Sequence, residues 1–129
     1  MTHNLPSQNR RAIRCLRYEV KNLITAFVSL TDAANIAWNT SEAALAKNAT
    51  VTLGGSRILD NPTGLLSGRT YNLIVKQDAT GGRTLTFGSV FKWAGGTAPT
   101  LSTGANEIDI FTFIYDGTNL YGSAVLNFS

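Results

Sequence analysis

From residue 28 onward the chain is written in short runs where apolar and polar residues alternate. In 35–39 Ile36 and Trp38 point the same way, in 49–53 the pattern Ala-Thr-Val-Thr-Leu alternates strictly, and in 71–76 Tyr71, Leu73 and Val75 share one side. A period of two is the mark of a strand with one covered face. The same reading predicts strands over 57–59, 84–87, 90–93, 108–115 and 120–128, with a brief helical turn in the Ala-rich stretch 41–47. Gly54-Gly55-Ser56 and Asp116-Gly117-Thr118-Asn119 punctuate them, and Pro62 closes the strand before it, since proline cannot donate to a ladder. Asp78-Ala-Thr-Gly-Gly82 separates 73–75 from 84–87, which reads as a β-hairpin with a longer loop. About eight short strands at regular spacing, with no βαβ pattern and no fixed-period repeat, predict an all-β fold. The architecture expected is an antiparallel β-sandwich of jelly-roll type.

The first 30 residues follow another rhythm. Ile13, Leu16, Val20, Leu23, Phe27 and Leu30 are spaced three and four apart by turns, a heptad seam. It predicts a short amphipathic helix that either lies on its own domain or joins subunits as a coiled coil; a strand over 23–30 is the remaining reading. The organisation expected is therefore an N-terminal arm and helix at 1–27 followed by a β domain at 28–129. Charge sharpens this division. Arg10, Arg11, Arg14, Arg17 and Lys21 stand against Glu19 alone, so the arm carries +4 and the remainder −1. Such an arm suits an acidic partner surface and is the candidate anchor.

One strand breaks the alternation. In 108–115, Ile108, Ile110 and Ile114 occupy one side while Phe111, Phe113 and Tyr115 occupy the other. A strand apolar on both faces needs cover on both. One cover is the opposite sheet; the second is either a neighbouring subunit or a segment of the same chain. The subunit reading makes Ile13, Leu16, Val20, Leu23, Phe27, Phe111, Phe113 and Tyr115 the candidate oligomer interface.

Composition removes most chemistry. The only histidine is His3 and the only cysteine Cys15, so neither a zinc cluster, a Ser-His-Asp triad nor an internal disulfide can be built in the β domain. Asp78 and Asp116 lie in turns, and Glu107 and Asp109 flank a strand start, where carboxylates serve their own backbone more often than a glycosidic bond. The glycine pairs lack the strand–loop–helix context and the Lys-Ser/Thr of a phosphate loop. No cofactor and no metal are expected, and no enzymatic activity. No apolar stretch reaches membrane length, and no signal-peptide pattern opens the chain. Nucleic acid is disfavoured because the body is slightly acidic. Trp38 sits in a clean strand and reads as core. Trp93, beside Lys92 and a small-residue loop, is the one candidate ligand contact.

The stretch 75–100, VKQDATGGRTLTFGSVFKWAGGTAPT, resembles a small β-sandwich module of tailed-bacteriophage virion proteins. The likeness continues through Asn61-Pro-Thr-Gly-Leu65, Ser102-Thr-Gly-Ala-Asn106 and Tyr115-Asp-Gly-Thr-Asn-Leu-Tyr-Gly122, and spans roughly residues 28 to 129. It implies a structural role in the virion after assembly in the host cytoplasm, and association as a homo-oligomer, a trimer being common among such modules. The partner would be another virion protein, of capsid or tail. The short arm favours a capsid decoration or head-fibre protein docked through residues 1–27; the alternative is a carbohydrate-binding short tail fibre or tail-tip module.

Overall fold

The computed structural model describes residues 26–129. Nine strands follow in order: β1 (Phe27–Ser29), β2 (Asn35–Ile36), β3 (Asn48–Leu53), β4 (Arg57–Leu59), β5 (Thr70–Gln77), β6 (Leu85–Phe87), β7 (Phe91–Trp93), β8 (Ile108–Tyr115) and β9 (Leu120–Phe128). They form a six-stranded sheet ordered β1-β3-β5-β8-β9-β7 and a three-stranded sheet ordered β2-β4-β6. The chain visits the two sheets alternately. Each of its first three passes lays one strand in the large sheet and the next in the small one. Both stacks are parallel: β1, β3 and β5 in one, β2, β4 and β6 in the other. The result is a short three-coil solenoid, closed at one end by the antiparallel pair β8–β9 beside β5.

Alternation decides which side each strand shows the core. Ala49, Val51 and Leu53 of β3 and Tyr71, Leu73 and Val75 of β5 are buried, while their neighbours point out. Parallel register stacks them in rows, Ala49 beside Leu73 and Val51 beside Val75, and β8 adds Phe111 beside Leu73. Ile36 and Leu59 answer from the small sheet. Between them Trp38 meets Tyr71 and Phe113 edge-on at ring distances of 6.3 and 6.1 Å. Its indole N–H donates to the Ala46 carbonyl at 2.6 Å, so the buried polar atom is satisfied. Fully burying Phe111 and Phe113 contributes about 1.5–3 kcal/mol each.

Several expectations are corrected here. All-β holds, but the jelly-roll with antiparallel pairing does not: five of the seven strand pairings are parallel. The proposed hairpin of 73–75 with 84–87 is a passage between sheets, since β5 and β6 belong to different ones. Phe27 and Leu30, the last positions of the heptad seam, are not helical; Phe27 opens β1 and Leu30 follows it. Arg10, Arg11, Ile13, Arg14, Leu16, Arg17, Val20, Lys21 and Leu23 lie outside the described residues. The final hairpin is placed as expected, on 108–115 and 120–128. Its faces, however, are assigned the other way. Phe111 and Phe113 are wholly buried inside the one chain and cannot form an interface, because the aromatic cluster and Trp38 already cover them. The open side is that of Ile114, 55% exposed, joined by Tyr121 and by Val125, 63% exposed. Tyr115 is half-buried, with its hydroxyl donating to the Gly117 carbonyl at 2.9 Å.

Candidate functional site

The passage from β5 to β6 begins the site. Asp78 accepts from the amides of Thr80 and Gly81 at 3.1 and 3.0 Å and is bridged by Arg83 at 3.0 Å. The Arg83 hydrogen bond, followed by the Gly81 amide, holds the Asp78 carboxyl below its ordinary value. Gly81 has φ of +73°, and a Cβ there would stand 2.6 Å from the Thr103 carbonyl oxygen. Only glycine lets this turn settle onto 103–105. The motif read as a hairpin loop is thus a folded corner that turns the chain into the small sheet.

Two buried polar side chains then fix the corner to the loop 97–103. Gln77, 2% exposed, donates from Nε2 to the carbonyls of Arg83 and Ser102 at 2.8 and 2.9 Å, and accepts the Arg83 amide at 3.0 Å. Asp109, equally buried, accepts the Ser102 amide and hydroxyl at 2.8 and 2.7 Å and the Asn127 amide at 2.9 Å. Buried groups this well paired set geometry, since freeing any partner leaves an unsatisfied donor or acceptor. Glu107 accepts the Gly104 amide at 2.8 Å. The carboxylates considered for glycosidic chemistry are therefore bound to nearby backbone, and Asp116 likewise accepts the amides of Thr118 and Asn119.

Between β6 and the loop lies a groove of about 610 Å³, within the usual range for a ligand site. Thr84, Leu85, Thr86, Phe87 and Ser89 line one wall, and Ala98, Pro99, Thr100, Leu101 and Thr103 line the other. Trp93 also lines it. It packs on Phe87 at 4.8 Å, Phe111 at 5.9 Å and Phe113 at 5.7 Å, and stays half-buried. Beneath it Gly122 is obligatory, because a Cβ would stand 2.6 Å from the Trp93 ring and 2.8 Å from Phe113. The indole is held by these core aromatics and remains half-buried.

Beyond Trp93, sequence reasoning passed over the groove itself. Its second wall was visible as a loop and β6 as a strand. Nothing local told that a strand and a loop fifteen residues apart would face each other. Lys92, Thr84, Thr86 and Ser89 are the lining residues missed. Among the described residues no group of three His, Cys, Asp or Glu is placed to hold a metal ion, and no helix is long and apolar enough to cross a membrane.

The family model described as "Putative phage tail fibre C-terminal domain" matches residues 33–120, and the chain belongs to that family. The match runs from just before β2 to the first residue of β9 and contains every lining residue of the groove. It makes the protein a phage structural protein and part of the virion, and indicates no catalytic family. A search among curated proteins found no match. Solved structures gave none either.

Proposed function

We propose that the protein is the receptor-binding end of a phage tail fibre, rather than a capsid decoration or head-fibre protein. The observation that carries this reading is the groove with Trp93 in its lining, inside the segment matched by the tail-fibre family. A decoration protein needs only its anchor and its subunit contacts; it has no use for such a groove. In this reading Arg10, Arg11, Arg14, Arg17 and Lys21 face acidic residues of the neighbouring virion component. Copies of the chain associate, as a trimer, through the outer face of β8–β9 instead of through Phe111 and Phe113. Exposed apolar patches of that kind mark association surfaces.

Immunogold labelling of intact particles tests the location. Label at the tail tip is the expected result, and label spread over the head overturns it. The labelled protein should also bind host cells and block adsorption of its phage.

A further inference from the structure

We infer that the outer face of the large sheet receives residues 13–23 of a neighbouring copy, whose apolar seam lies across the strands in a shallow trough. The inference rests on the reading that copies associate through this face, and it names the segment that meets it.

The trough follows from register. Asn48, Asn72, Thr112 and Ser123 stand side by side on β3, β5, β8 and β9, forming a floor of short side chains. Along one side of the floor Ile74, Ile110 and Val125 make an apolar ridge, in register across β5, β8 and β9. Along the other side Ile114 and Tyr121 make a second ridge. The ridges are separated by the step from Ile110 to Ile114, about 13 Å. That width admits a helix of about 10–12 Å with its side chains. The floor spans three strand spacings, about 14 Å, and a helix from Ile13 to Leu23 covers about 15 Å. A hollow of about 450 Å³ between Lys92, Thr112, Ile114 and Tyr121 gives a seam side chain room to enter.

The floor is polar yet already paired. Asn72 donates from Nδ2 to Asn48 Oδ1 at 2.9 Å, and the Thr112 hydroxyl donates to Asn72 Oδ1 at 3.1 Å. Tyr121 turns its hydroxyl to the Asp116 carboxylate at 2.9 Å and leaves its ring on the face. Groups paired in this way lose little when an apolar surface covers them. Among the described residues, the outward strand positions of this sheet carry Lys76 and Lys92 and no Asp or Glu. The face therefore holds nothing for the basic stripe. In a helix Arg10, Arg14, Arg17 and Lys21 lie about a third of a turn from the seam, pointing away towards the acidic surface of another virion component.

Assembly geometry selects a neighbouring copy. Two flat faces bury each other about a twofold axis and give a dimer. In a trimer each face must meet a different surface of the next copy. Ile13, Leu16, Val20 and Leu23 are the second apolar surface that the sequence supplies. They lie outside the described residues, and the chain joins the fold at β1, an edge of this same sheet. A segment leaving from the edge can project past it to the next copy. Folded back on its own sheet, it would cover the face and leave the copies nothing to share.

The test uses the full chain with Cys15→Ser, so that introduced thiols are the only ones. One set of chains carries Ile13→Cys, Leu16→Cys, Val20→Cys or Leu23→Cys; a second chain carries Ser123→Cys, an exposed position in the floor. Each pair is co-expressed with different tags and mildly oxidised. A disulfide between the two chains from at least one seam position is the expected result, since the bond requires Cα atoms within about 7 Å. Leu16→Asp in the otherwise natural chain should reduce a trimeric mass to a monomeric one, with an unchanged circular dichroism spectrum. A trimer unmoved by Leu16→Asp overturns the inference. A bond that forms only within one chain, when both thiols are placed on it, overturns it in favour of self-cover. Seam positions that bond only to one another overturn it in favour of a coiled coil. If the wild-type chain is trimeric and no seam position reaches residue 123, the inference falls and association through the face stands. A wild-type monomer overturns both.

Discussion

The coil stack and the closing hairpin are made of similar strands, yet they are held together in different ways. In the stack each strand pairs with one roughly a full coil away: Phe27 with Asn48, then Asn48 with Asn72. In β8–β9 partners such as Tyr115 and Leu120 are joined by a four-residue turn. Long coils must close before their parallel ladders give anything back, whereas the hairpin can form from its own turn. The stack therefore depends on clasps between distant segments, among them Gln77, Asp109 and the Asp32–Arg57 pair at 2.8 Å. The hairpin depends on Asp116 and on the core beneath it. Covering follows the same division. β5, flanked by β3 and β8, has no strongly exposed apolar residue, while the outer sides of β8 and β9 stand open at Ile114, Tyr121 and Val125.

Removing the joint between the two regions should have the largest effect. Phe113 stacks on Phe111 at 6.2 Å and meets Trp38 of the first coil, Phe91 and Trp93. Phe113→Ala should cost about 3–5 kcal/mol, read as a lower denaturant midpoint. Hairpin and coils should still unfold in one transition. Two separate transitions would show that they are independent units.

Next comes the clasp. Gln77→Leu keeps an apolar side chain of similar reach but leaves the Arg83 amide and the carbonyls of Arg83 and Ser102 without their partner. A loss of about 1–3 kcal/mol is expected, together with faster amide exchange in residues 83–89 and 101–104. Exchange that stays unchanged there would show that the groove walls are held by something else.

These two residues show how legible the molecule was. Strand positions could be read because alternation is local, and the hairpin could be read because its turn chemistry is local too. Pairing could not. Ala49 sits beside Leu73 through closure of a coil, and unequal steps of 21 and 24 residues between the ladders conceal the repeat from any fixed-period reading. Gln77 and Asp109 continue the inward alternation of Val75 and Phe111, so their place in the core was implied by the pattern, though their partners were not. Phe111 and Phe113 were correctly separated from the isoleucines of β8. Which side met the opposite sheet was not decided by sequence, because both sides are apolar. Trp93 was singled out for its loop, and the groove that gives it meaning arises from tertiary closure.

A smaller and pH-dependent effect belongs to the hairpin turn. The Asn119 amide, then the Thr118 amide and the Tyr121 hydroxyl, hold the Asp116 carboxyl below its ordinary value. Asp32, held down first by Arg57, and Asp78, held down first by Arg83, are shifted in the same direction. A carboxyl whose folded pKa lies below its unfolded value of about 3.9 contributes fully above that value. The contribution is lost as pH falls through the lowered one. Stability should therefore be flat from pH 7 to about 5 and decline below about 4. Asp116→Asn should flatten part of the decline while leaving the coil clasps to supply the rest. A decline of unchanged steepness would remove Asp116 from the account.

The least change in the fold, and the clearest change in assembly, is expected on the hairpin's outer side. Val125 is 63% exposed on β9, in register with Ile110 of β8, and touches none of the buried core. Val125→Asp should therefore alter stability by no more than about 0.5 kcal/mol, as surface changes usually do. If copies associate through this face, the same change sets a desolvated charge against an apolar surface, and burying an unpaired carboxylate is costly. The wild-type chain should then show a trimeric mass by light scattering, and the variant a monomeric one with an unchanged circular dichroism spectrum. Phe113→Ala, by contrast, should lower stability whatever the mass. A wild-type monomer at high concentration would refute association through this face. A trimer that survives Val125→Asp would move the contact to residues 1–25 and leave the sheet's outer face to some other partner.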